Sequence, residues 1–60
     1  MTQVRHFVTA VQMDVSTYGE VEPLNESEAA YALEQWKSEG VEIPDGITPQ
    51  MLMTEWNRQI

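Results

Sequence analysis

Val4-Arg5-His6-Phe7-Val8-Thr9-Ala10-Val11-Gln12-Met13-Asp14-Val15-Ser16-Thr17 is the stretch on which the fold turns. Phe7, Thr9, Val11, Met13 and Val15 alternate with His6, Val8, Ala10, Gln12 and Asp14, a period of two that predicts a β-strand over residues 4–17. The β-branched and aromatic content, with no Gly or Pro, favours the same reading. The odd face is the more apolar and is expected to be buried. Tyr18-Gly19 interrupts the pattern, and Glu20-Val21-Glu22-Pro23 can resume it as a short return strand that Pro23 confines to an edge or an end. Residues 16–23 therefore fit either a hairpin or a loop after one long strand. A lone strand leaves its ladder groups unpaired and implies pairing with a second chain.

Beyond this stretch the signals turn helical. Asn25 and Glu28 have the spacing of a capping box, and Glu26 and Glu28 place negative charge in a first turn. Ala29, Ala32, Leu33 and Trp36 recur at i, i+3, i+4 and i+7, predicting a helix over 26–39 that Gly40 ends at C′, with Val41 over Trp36. Glu34 and Lys37 are spaced to pair. Pro44-Asp45-Gly46 has β-turn chemistry, and Val41 and Ile43 are expected to point inward. Thr48-Pro49 opens a second helix as N-cap and N1, with Ile47 and Leu52 spaced as a hydrophobic staple. Leu52, Met53, Trp56 and Ile60 give that helix its apolar face to the end of the sequence. The expected fold is thus α+β, in the order β(β)αα, forming one domain over residues 1–60 with no internal repeat.

A chain of this size buries only about 60% of the surface it exposes when unfolded and usually needs extra support. Its apolar share of 42% suffices for a core, so the composition is not that of a disordered chain. There is no cysteine, which excludes disulfides and thiolate metal sites. His6 is the single histidine, so no metal or other cofactor is expected. No apolar run reaches the roughly 20 residues of a membrane span. Together with the missing cysteine and the absence of a signal-peptide layout at the N-terminus, this suggests a cytoplasmic protein.

Charge is the loudest functional signal. Ten Asp and Glu stand against three Lys and Arg, for a formal net charge of −7, and nine of the ten acids lie between Asp14 and Asp45. Such a field repels phosphate, so direct binding to nucleic acid or to an anionic membrane is not expected. It favours a basic surface on a partner protein. Solubility alone is the bland explanation. The candidate partner-binding residues are Glu20, Glu22, Glu28, Tyr31, Glu34, Glu39, Glu42 and Asp45, carried by the first helix and the loops at its two ends. Carboxylates spaced in this way can stand in for backbone phosphates, as in small acidic phage-encoded inhibitors of host enzymes, a likeness of size and composition.

The expected role is that of an inhibitor or modulator occupying a basic site on a partner protein, a nucleic-acid-binding site being one such site. The alternative is a structural subunit that homodimerises through the N-terminal strand. That order of elements is shared with ribbon-helix-helix dimers, but this strand is not basic and the spacer after it is too long. Catalysis is not expected. His6 lies about 30 Å along an extended strand from Ser16 or Thr17, and Glu20/Glu22 and Glu26/Glu28 read as a solvated face. Asn25-Glu26-Ser27 matches a glycosylation sequon, but capping accounts for Asn25. Two tryptophans and the methionines Met1, Met13, Met51 and Met53 are a large apolar payload for so small a core, consistent with a face that meets a partner.

Overall fold

The structure, a computed structural model, describes residues 2–60, and of Thr2 the main chain only. Met1, counted above among the adaptable methionines, lies outside the described residues. The order is α1 (Thr2–Tyr18), α2 (Glu26–Ser38), α3 (Pro49–Arg58), with no strand among the described residues. The expected α+β fold is therefore corrected to an all-helical one. The stretch read as a strand is a helix, residues 16–23 hold no return strand, and the dimer built on strand pairing loses its strand.

The physical reason lies in which side chains α1 buries. Val4 and Val8 are in the core at 6% and 0% exposure, and Phe7 and Val11 pack against it, whereas Met13 is 67% exposed. Residues 4, 7, 8 and 11 share one face of a helix and fall on both faces of a strand. Burial of that stripe against the other helices outweighs the β-branched preference of Val and Thr, which is a weak prior. Thr9 and Thr17 also put their hydroxyls within 2.9 and 3.1 Å of the Arg5 and Met13 carbonyls one turn back, a helix-compatible way to satisfy them.

Local chemistry sets α2 and α3 as expected. Glu28 N donates to Asn25 Oδ1 at 2.8 Å and Asn25 N to Glu28 Oε1 at 2.9 Å, completing the capping box. At the other end Gly40 adopts φ +80°, Gly40 N donates to Lys37 O at 3.2 Å and Val41 N to Trp36 O at 2.9 Å, the Schellman arrangement. Thr48 Oγ1 accepts from Met51 N at 3.1 Å, with Pro49 in the first turn of α3. α3 stops at Arg58 rather than continuing, and Ile60 is 57% exposed instead of lying on its apolar face. Met51 and Met53 are both half-buried against the core, and Val41, expected to point inward, is 39% exposed.

α3 is the central member. It packs against both α1 and α2, while no Cα of α1 comes within 8 Å of one of α2. Its Leu52 (0% exposed) and Trp56 (5%) meet Val4 and Val8 of α1 and Ala29 and Leu33 of α2 in one cluster. Polar clamps follow the same pattern. Gln12 Nε2 donates to Trp56 O at 2.9 Å and Gln59 Nε2 to Arg5 O at 3.1 Å, tying α1 to α3. Trp56 Nε1 donates to Glu22 O at 2.7 Å, and the Asn57 side chain pairs with both the N–H and the carbonyl of Leu24 at 2.9 Å, holding the α1–α2 connector along α3. The Cα radius of gyration, 10.5 Å, is that of a compact chain of this length, about 10.4 Å. Among the described residues no helix is long and apolar enough to cross a membrane.

Candidate functional site

The nine acidic side chains from Asp14 to Asp45 are all exposed. Among the described residues the one ion pair is Arg58–Glu55 at 2.9 Å, which uses the tenth acid. Lys37 has no carboxylate within 4 Å, so the expected Glu34–Lys37 pair does not form. The negative field of those nine carboxylates is consequently turned outward rather than cancelled inside the molecule. Glu55 differs: hydrogen bonds from Arg58 and Gln59 hold its carboxyl below the ordinary range, and the Arg58 guanidinium is correspondingly held more firmly protonated by Glu55.

The eight candidate residues do not converge on one point. Glu20 and Glu22 lie in the connector clamped to the end of α3, where Glu22 serves the fold through its main-chain carbonyl and leaves its carboxylate in solvent. Glu28 is at the start of α2 with one carboxylate oxygen engaged in the capping box. Tyr31 (67% exposed) and Glu34 stand on the side of α2 turned away from Ala29 and Leu33. Glu39 caps the C-terminus of α2, while Glu42 and Asp45 border a small hollow that also includes Gln3 and His6.

Around Glu39 the structure forms a feature that the sequence reading did not contain. Because the α1 and α2 backbones stay apart, an open groove of about 740 Å³ runs between the C-terminal part of α1 and the end of α2. Phe7 and Trp36 meet edge to face across it, with ring centroids 5.3 Å apart and planes at 83°, and bridge the two helices by side chains alone. Val11, Met13, Val15 and Val41 extend this apolar lining, and Asp14 and Glu39 supply its two carboxylates. Met13, Val15 and Val41 remain 67%, 37% and 39% exposed. The signal for this groove is the i, i+4, i+8 spacing of Phe7, Val11 and Val15, with Asp14 beside them, a spacing that fits one face of a strand equally well.

The Ser16 and Thr17 hydroxyls, set against His6 in the sequence, turn to the main chain of their own helix. Ser16 Oγ and Thr17 Oγ1 donate to the Met13 carbonyl at 2.8 and 3.1 Å. On a helix, ten residues separate His6 from Ser16 by about 15 Å. Among the described residues no three His, Asp or Glu side chains gather as metal ligands would. Comparison with protein-family models, with curated proteins and with solved structures finds no match for this chain.

Proposed function

We propose that the protein is a small acidic binding module, not an enzyme, that occupies a basic site on a partner protein, and that this site ordinarily holds nucleic acid. The observation that supports the reading is the set of nine exposed carboxylates with no cation within 4 Å among the described residues. Acids left unpaired at the surface are available to cations from outside, and the salt and DNA challenges below separate that role from solubility alone. Spaced carboxylates on a helix and its flanking loops present negative charge to a basic groove much as backbone phosphates do, and an inhibitor or modulator of a nucleic-acid-handling protein follows. The reading takes the compartment to be the cytoplasm, in keeping with a chain that has no cysteine.

The test immobilises the full chain, exposes it to lysate of its native host, and challenges what is retained with salt and with duplex DNA. Retention of a nucleic-acid-binding protein that is lost at high salt and displaced by DNA supports the proposal. The variant Glu34→Lys/Glu39→Lys/Glu42→Lys, each exchange adding two positive charges and together taking the formal charge from −7 to −1, is expected to retain nothing. Unchanged retention by that variant, or capture of nothing but copies of the chain itself, would overturn it.

A further inference from the structure

We propose that the groove between α1 and α2 receives an amphipathic, basic helix of the partner, its apolar side chains seated on the Phe7–Trp36 floor and its Lys or Arg side chains paired with Asp14 and Glu39. This rests on the reading above in requiring a basic partner, and it adds where that partner docks and with what chemistry.

The floor consists of two aromatic rings that touch each other but are not closed over, because no α1 Cα approaches α2 within 8 Å. Apolar side chains entering there would complete a contact that the fold leaves half made, and aromatic rings offer the largest gain per side chain. The α1 wall runs from Phe7 to Thr17, about 15 Å at helical rise, or close to three turns of an incoming helix. That length suits anchors at i, i+3 or i+4, and i+7.

Charge decides between occupants. A second copy would bring its own Asp14 and Glu39 and a further net charge of −7 against the same rim, a like-charge juxtaposition that opposes association. A segment with Lys or Arg flanking its apolar anchors meets the rim with opposite charge. Secondary structure decides the form of that segment. Among the described residues there is no strand edge to extend, so an extended peptide would find no ladder for its main chain. A helix satisfies its own backbone and presents only side chains.

The test uses a 14-residue amphipathic peptide of Leu and Lys as the probe, titrated into the isotopically labelled full chain at low salt. Shift changes concentrated at the Trp36 indole N–H, the Met13 methyl and the Val15 and Val41 amides, together with roughly tenfold weaker binding by Met13→Ser/Val41→Ser at unchanged melting temperature, support the proposal. Equal binding of a peptide with Ser for Leu, shifts spread over Glu20 to Glu34 with the double variant unaffected, or no binding at all would each overturn it. In the first two of those cases the acidic-module reading survives, since basic charge is still bound. Concentration-dependent self-association with the same shifts in the absence of peptide would make a second copy the occupant and also overturn it.

Discussion

Val8→Ala and Met13→Ala form a pair whose outcomes separate a helical N-terminal segment from a strand. Val8 is fully buried (0% exposed) in the core that α1 shares with α2 and α3, and Met13 is 67% exposed at the edge of the groove. Removing two methyl groups from Val8 forfeits about 1.6 kcal/mol of transfer free energy, and the space left unfilled adds roughly 1 kcal/mol. The total, about 2–3 kcal/mol, is a large share of the about 3–9 kcal/mol expected for a domain of this length. It corresponds to a drop in melting temperature of roughly 10–20 °C. Met13→Ala removes little buried surface and introduces the best helix former, so its effect should stay within about 0.5 kcal/mol. Urea unfolding followed by far-UV circular dichroism measures both. A strand with its odd face buried requires the reverse order. If Met13→Ala proved the more damaging of the two, the helical assignment of this segment and the core built on it would fall together.

Two further outcomes follow from the polar clamps. Asn57→Ala removes both 2.9 Å hydrogen bonds to Leu24, so the connector should loosen from α3 at a cost of about 1–2 kcal/mol, and the Leu24 amide should lose protection in hydrogen exchange while amides in α2 keep theirs. Glu55 is held below its ordinary value of 4.5 by Arg58 and Gln59, so its contribution is complete above that pH and declines as pH falls through the lowered value. The gap in stability between the native protein and Glu55→Gln should accordingly be widest near neutrality and shrink below pH 4.5; a gap that stays constant down to pH 2 would remove Glu55 from the account.

What the sequence discloses depends on how local the determining chemistry is. Asn25 with Glu28, Gly40, and Thr48 with Pro49 act on neighbours within four residues, and both helices they delimit are readable from them. α1 carries no acid in its first turn and no base in its last, so neither end declares a helix. Its apolar residues add a specific ambiguity. Phe7, Val11 and Val15 are four apart, a spacing that satisfies a period of two as well as one of 3.6. The odd step from Val8 to Val11 breaks the tie, but the value of that step depends on α3 being there to bury both residues. The exposure of the seven acids among the candidate residues was legible because acids seldom bury unpaired. The groove was not, since it is made of residues from a misassigned segment and of a gap between two backbones that no sequence pattern records.

The central place of α3 also has a consequence for how the chain acquires its structure. α1 and α2 are made first, yet neither offers the other a backbone surface, and the clamps from Trp56, Asn57 and Gln59 reach back 33 to 54 residues. A nascent chain that has emerged only through Gly46 thus holds two amphipathic segments with little to bury against, and long-range closure must precede any reward. A chain cut after Gly46 is therefore expected to stay largely unfolded, and circular dichroism of residues 1–46 showing full native helicity would refute this.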